Sequence, residues 1–217
     1  MAFVPDGEEP LALTDFQVQV AQLFFSLPEA AGFLLAGGAA LVAQHLTTRP
    51  TQDLDFFTRV GGTGVPAARD ALEAAAHDRG WTIERVRDEA TFCRLIVHGD
   101  DNLLVDLAVD SPPEQPATVS LIGPTFAPEE LAGRKVVALF DRAEARDFAD
   151  VFELAQRVSK DDLLEQAAQV DLGFDRPIFA QMLRSLARFR DQDLPMPEAR
   201  IPAMREFFAT WAEQLDT

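Results

Sequence analysis

AGGAALVAQHLTTRPTQDLDFF, Ala36 to Phe57, is the most informative stretch of this chain. A Gly-Gly pair opens an apolar, helix-like run. A short basic loop containing Pro50 follows from Thr47 to Gln52, and Asp53 and Asp55 then stand two apart in a strand-like run. Residues i and i+2 of a strand share a face, so Asp53, Asp55 and Phe57 go together while Leu54 and Phe56 point into the core. Two like charges on one face repel, and burying them unpaired is costly. A divalent cation removes both problems, because Mg²⁺ takes oxygen ligands from one or two carboxylates and from substrate phosphates. Gly37 and Gly38 allow close backbone approach, and the free N–H groups of a helix start suit phosphate. A Gly-Gly pair also makes a plain strand-to-helix turn, but Gly38 lies 15 residues before Asp53. The stretch therefore reads as a phosphate cradle followed by paired carboxylates, the needs of metal-assisted chemistry on a nucleoside triphosphate.

A third acid is expected from a neighbouring strand. Asp106 interrupts LLVDLAVD (103–110), with Val105 and Leu107 on the opposite face. A shared metal would give it a partner; a salt bridge at a strand end is the plainer alternative. Asp110 falls on the same face nearer the end and ranks lower. In RKVVALFDRAEARDFADVFEL (134–154), Lys135 lies in one helix and Asp147 and Asp150 in the next. At i and i+3 these acids share a face, away from Phe148 and Phe152. The plain reading is an exposed charged face with Lys135 paired locally. The functional reading puts Lys135 on the triphosphate and Asp147 as its orienting partner or a nucleotide contact. The chain has 17 Arg but only two Lys, at 135 and 160, and Lys is a compact point charge suited to a phosphate oxygen.

Composition sets outer bounds. A chain of 217 residues, 47% of them hydrophobic, can build one large domain or two small ones. A single cysteine, Cys93, cannot form an internal disulfide, which suggests a reducing compartment. The acidic start MAFVPDGEEP is not a signal peptide, and no apolar run spans a bilayer, so a soluble, cytoplasmic, monomeric protein is expected. A net charge of −17 argues against a general nucleic-acid binder but allows a local basic surface. His45, His77 and His98 are too scattered to form a metal cluster.

Thr14 to Leu27 reads as a helix with Thr14 as N-cap and Leu11, Val18, Ala21 and Phe25 on one face. Phe33 to Ala36 reads as a strand, Ala39 to Leu46 as a helix, Asp53 to Thr58 as a strand and Pro66 to Arg79 as a helix. Trp81 to Arg87, Thr91 to His98 and Leu103 to Val109 form an expected antiparallel meander with turns at 88–89 and 99–102. Val119 to Ile122 is one further short strand. Helices are expected over Asp161 to Val170, Pro177 to Arg190 and Pro202 to Leu215. This order predicts an α+β fold, with a mixed α/β half (1–125) and a helical half (126–217) that completes the active site.

The two blocks together resemble the AbiEii-type nucleotidyltransferase toxins, which include mycobacterial toxins that modify tRNA. The resemblance rests on Gly37-Gly38-Ala39-Ala40-Leu41, on Arg49-Pro50-Thr51-Gln52-Asp53-Leu54-Asp55-Phe56, on Lys135 to Arg142, and on Arg146-Asp147-Phe148-Ala149-Asp150. It implies a polymerase-β-like nucleotidyltransferase core, a mixed sheet with flanking helices, followed by a helical C-terminal region. It further implies that Asp53, Asp55 and Asp106 hold Mg²⁺ or Mn²⁺. Gly37, Gly38, Arg49, Lys135 and Asp147 would serve the NTP, and Asp147 would be needed for activity. The implied acceptor is the tRNA 3′ end, the implied donor a pyrimidine NTP, and the implied partner a cognate antitoxin. Thr51 sits where some members carry a hydroxyl that is phosphorylated for inactivation. Relatives in the wider superfamily have Gly-Ser where this chain has Gly-Gly-Ala, so backbone N–H groups must replace a hydroxyl on the phosphate.

Three other readings stand beside this one. The same chemistry could serve a small cationic acceptor of the aminoglycoside kind, which the net charge suits, or a protein side chain. The Arg groups near Lys135 and from Arg184 to Arg190 favour RNA instead. A non-catalytic binding partner would have no reason to keep clustered carboxylates. A dinucleotide-binding dehydrogenase would need G-x-G-x-x-G, which is missing here.

Overall fold

Alternation in the Asp53–Arg59 strand buries Leu54 and Phe56 completely and leaves Asp53, Asp55 and Phe57 half-buried, as the period of two requires. The computed structural model describes residues 12–216. Its strands are β1 (Leu34–Ala36), β2 (Asp53–Arg59), β3 (Thr82–Asp88), β4 (Phe92–His98), β5 (Asn102–Asp110), β6 (Thr118–Ser120) and β7 (Gly123–Thr125). They form one mixed sheet in the order β3-β4-β5-β2-β1-β7-β6. β3, β4 and β5 are the expected antiparallel meander. β2 runs antiparallel to β1 and parallel to β5, with Asp53 opposite Leu104, Asp55 opposite Asp106 and Phe57 opposite Ala108.

The early helices are α1 (Asp15–Phe25), α2 (Gly37–Ala43) and α3 (Val65–Asp78). A capping box starts α1: the Gln17 N–H donates to Thr14 Oγ1, and the Thr14 N–H donates to Gln17 Oε1. Leu11, expected on the apolar face of α1, lies outside the described residues. α3 packs on one side of the meander, where Cys93, Leu95, Val97 and Val105 are fully buried. Their alternates Phe92, Arg94 and Ile96 stay half-exposed on the other side. Between α1 and β2, Phe24 stacks on Phe56 at 4.2 Å and meets Phe33 edge-on at 5.3 Å.

After the sheet come α4 (Pro128–Asp141), α5 (Ala145–Leu154), α6 (Lys160–Val170), α7 (Arg176–Arg184) and α8 (Ile201–Leu215). α4 packs on α5, α6 and α7 and also touches α2, which sets the helical half over the sheet face that carries Asp53 and Asp55. Phe148 meets Phe208 at 5.2 Å and Phe179 meets Trp211 at 5.4 Å in a second aromatic cluster. Among the described residues no helix is long and apolar enough to cross a membrane.

Three boundaries differ from expectation. The glycine pair is the first turn of α2 rather than a turn before it, and α2 stops at Ala43 because His45 takes a left-handed φ of 57°. The helix expected over Pro177 to Arg190 ends at Arg184 and tightens into a 3-10 turn, Ser185–Arg188. β7 is Gly-Pro-Thr, residues of low strand propensity apart from Thr, and its pairing with β1 comes from tertiary context.

Candidate active site

The antiparallel pairing of β1 with β2 sets Ala36 opposite Asp55, so the chain enters α2 against that carboxylate. Gly37 has φ 61°, and a Cβ there would overlap Oδ2 of Asp55. At Gly38 a Cβ would stand 2.7 Å from Thr51 Oγ1 and 3.2 Å from Arg49 Nη2. Each glycine therefore admits one specific part of the site.

Asp53, Asp55 and Asp106 share a face by register, and each has a different environment. Asp53 accepts from the Thr51 hydroxyl at 2.8 Å and from Arg146 at 3.1 Å. Asp106, 7% exposed, accepts two hydrogen bonds from Arg94 at 2.9 and 2.7 Å. Among the described residues Asp55 receives no side-chain hydrogen bond or ion pair. Burial, then the charges of Asp53 and Asp106, push its carboxyl up to about 7, against smaller pulls from Lys135 and Arg146. Among the described residues no three His, Cys, Asp or Glu side chains converge as a ready metal site. Arg146 pairs with Asp53 and Arg94 with Asp106. The donor set nevertheless fits a hard divalent cation: Asp55 and Asp106 are in register, with Asp53 two residues along the same face.

The second half of the chain supplies cations, and here the plain reading of Asp147 and Asp150 as an exposed charged face does not hold. Both acids are fully buried, and three cations meet them: Arg49 from the loop before β2, Lys135 from α4 and Arg142 from the turn that ends α4. Asp150 takes a bidentate pair from Arg49 at 2.7 and 2.9 Å, and Lys135 Nζ lies 3.1 Å from it. Asp147 accepts from Arg142 at 2.9 and 3.0 Å and from the Glu144 N–H at 3.2 Å, with Lys135 at 3.6 Å. Burial raises the Asp147 carboxyl, but the Arg142 hydrogen bonds and the Lys135 and Arg142 charges outweigh it and hold the group below the usual carboxylate range. Lys135 and Arg49 are thus aimed by buried acids, bidentate in the Arg49 case.

A cavity of about 180 Å³ brings together Gly37, Gly38, Asp55, Asp106, Lys135 and Arg142. It continues at one end into a space of about 750 Å³ bordered by Gln17, Gln52 and Asn102, with Arg49, Thr51, Asp53 and Arg146 on both. At the other end it meets a third space of about 410 Å³ through Phe57, Arg134 and Arg142. The three follow β2 from Asp53 to Phe57. Asp110 lies at the far end, paired with Arg134 at 2.9 Å and apart from the carboxylate trio. Thr51 is buried, its hydroxyl on Asp53 and its carbonyl held by Gln17 at 3.0 Å.

Sequence reasoning gives no role to Arg94, nor to Arg142, Arg146 and Asp150, which stand inside the motifs quoted above. One signal was present for Arg94: a hairpin turning at 99–102 pairs His98 with Asn102 and so Arg94 with Asp106. The ion pairs at Asp150 and Arg146 span 101 and 93 residues and have no local signature.

The family model described as nucleotidyl transferase AbiEii toxin, Type IV TA system, matches residues 22–215. No curated protein matches the chain. Among solved structures, JHP933 from Helicobacter pylori is 18% identical, with a TM-score of 0.55 over 94% of this chain and 95% of that one. The nucleotidyltransferase toxin MenT4 from Mycobacterium tuberculosis H37Rv is 17% identical, with a TM-score of 0.57 over 91% of this chain and 85% of that one. Both likenesses are of fold.

Proposed function

The chain belongs to the AbiEii nucleotidyl transferase toxin family, and on that premise we propose that it moves a nucleoside monophosphate from a pyrimidine NTP to the 3′ acceptor end of tRNA. The added nucleotide blocks aminoacylation, and a cognate antitoxin holds the enzyme in check. The observation that carries the chemistry is the register of Asp55 with Asp106 on parallel strands, one cavity away from a Lys135 aimed by buried acids. For RNA as acceptor, the support is local charge: Arg49, Arg94, Arg134, Lys135, Arg142 and Arg146 line this cavity in a chain of net charge −17.

Asp53, Asp55 and Asp106 would hold Mg²⁺ or Mn²⁺, which when bound neutralises charge on the reacting and leaving phosphate oxygens. Lys135 and Arg49 grip the triphosphate, with the open backbone at Gly37 and Gly38 letting it approach. Asp147 and Asp150 keep those two cations in place. The acceptor hydroxyl oxygen bonds to the α-phosphorus as the bond to the β-phosphate oxygen breaks, and pyrophosphate leaves. Asp106 takes the hydroxyl proton. Positioning and charge stabilisation supply the rate. Before this, Arg94 and Arg146 must release their carboxylates, which frees two guanidinium groups for anionic substrate.

Incubation with total tRNA, Mg²⁺ and each α-labelled NTP in turn, beside an Asp53→Ala control, tests the reading. Label in tRNA from one pyrimidine NTP, absent with the variant, is expected. No label in any RNA from protein that binds NTP and Mg²⁺ would overturn the tRNA assignment and move the acceptor to a small molecule or a protein side chain.

A further inference from the structure

The catalytic face of the sheet does not stop at Asp106. Moving outward across β5 and β4, it carries Arg94 and Phe92, both half-exposed, while the opposite face of the same strands is buried under α3. The Phe92 ring gathers two guanidinium groups, Arg87 at 5.0 Å and Arg94 at 5.8 Å from its centroid. Arg94 also holds Asp106. Planar groups thus continue from the carboxylate outward: Arg94, Phe92 and Arg87.

A backbone irregularity makes this arrangement. β3 pairs with β4 as Glu84 with Ile96 and Arg85 with Leu95, and the register then shifts so that Arg87 meets Arg94 and Asp88 meets Cys93. In unbroken register Arg87 would oppose Cys93 and point to the α3 side. The bulge turns it to the catalytic face instead. Bulges beside active sites re-aim side chains in this way. The result sets two like charges opposite each other on neighbouring strands, which is unfavourable for the sheet alone. Glu89, 2.8 Å from Arg87, offsets one of them and Asp106, 2.7 Å from Arg94, the other. Once Asp106 turns to a cation, an anionic ligand can answer Arg94.

We propose that Phe92, Arg87 and Arg94 form the platform that receives the single-stranded 3′ end of the acceptor RNA, an inference that rests on the tRNA reading above. Unpaired bases stack on aromatic rings and on guanidinium planes alike. The two arginines meet the terminal phosphates, and a strand lying along Arg87, Phe92 and Arg94 brings its terminal hydroxyl to Asp106. The continuity from Phe92 through Arg94 to Asp106 favours this occupant over a protein surface.

Phe92→Leu keeps apolar volume at a half-exposed position and removes the ring; Arg87→Gln removes a charge at an exposed one. Each is assayed by tRNA labelling under varied tRNA and varied NTP, and by anisotropy with a fluorescent single-stranded RNA of tRNA acceptor-end sequence. Both variants are expected to raise KM for tRNA and weaken oligonucleotide binding by about tenfold, as loss of one stacked base contact does, with KM for the NTP unchanged. Phe92→Trp should restore binding. Wild-type KM and oligonucleotide affinity in both variants would overturn the platform while leaving the tRNA reading intact. Wild-type protein that labels no RNA would overturn both. Should Phe92→Leu fail to fold, the Arg87→Gln result decides alone.

Discussion

Arg94 of β4 and Asp106 of β5 face each other across the sheet, the guanidinium donating hydrogen bonds of 2.9 and 2.7 Å to the carboxylate. The pair neutralises an acid that would otherwise face Asp55 directly. It also makes a cation at the site compete with an arginine. Arg94→Ala is therefore expected to tighten Mn²⁺ binding to the NTP-free protein several-fold, as read by the free-ion EPR signal during titration. An unchanged or weaker affinity would show that Asp106 is no part of the ion's site.

Asp55 gives the site a pH dependence of definite sign. Burial, then Asp53 and Asp106, raise its carboxyl to about 7, well above an unfolded Asp at roughly 3.9. A raised folded pKa contributes stability that is fully present below the unfolded value and is lost as pH rises through the folded one. The metal-free protein should thus lose Tm at this site between about pH 4 and pH 7. Asp55→Asn should flatten that decline, and Mg²⁺ should restore wild-type Tm at pH 8. Scanning fluorimetry across the range checks it; identical slopes in wild type and variant would remove Asp55 as the cause.

Local patterns explain how much of this was legible from residues alone. β2, the meander and the cap of α1 follow from alternation, turn residues and the Thr14–Gln17 spacing, all within a few residues of chain. Asp53, Asp55 and Asp106 stood out because acids interrupt apolar strands, and Lys135 because the chain otherwise uses Arg. What alternation cannot reveal is a partner far away in sequence. Asp150 reads as surface until Arg49, 101 residues earlier, is folded against it. The bulge that turns Arg87 is equally hidden, since strand residues in β3 look the same with or without it.

Asp150 ties the helical half to the loop before β2, Asp147 ties the start of α5 to α4 and the turn that ends it, and each has a distinct signature. Asp150→Ala leaves Arg49 and Lys135 without their buried acid, and breaking a buried pair from one side typically costs about 3–5 kcal/mol. A lower urea midpoint with unchanged m-value is expected. Asp147 has a lowered folded pKa, so its contribution is present above the unfolded value and disappears as pH falls through the folded one. Asp147→Asn should accordingly remove part of the stability gained between about pH 2 and pH 5, set against an unfolded pKa of roughly 3.9. A variant whose acid limb matches wild type would mean that Arg142 and Lys135 do not stabilise the charge.

Gly37 and Gly38 separate backbone strain from crowding. Gly37 sits at φ 61°, where an L side chain is disfavoured by roughly 1–2 kcal/mol, and its missing Cβ leaves room for Oδ2 of Asp55. Gly38 has no such backbone strain, and a Cβ there crowds the Thr51 hydroxyl and one Arg49 nitrogen. Gly37→Ala should therefore lower both Tm and kcat, because the strand acid must move. Gly38→Ala should leave Tm nearer wild type and chiefly raise KM for the NTP, since it disturbs Arg49 and the loop that carries Thr51. Thr51→Ala tests the assignment further: it removes the hydroxyl that a Cβ at Gly38 would meet at 2.7 Å, so it should relieve part of the crowding in Gly38→Ala at the expense of the hydrogen bond to Asp53. Equal effects of the two glycine variants on Tm and on both kinetic constants would show that the pair acts only as a helix start.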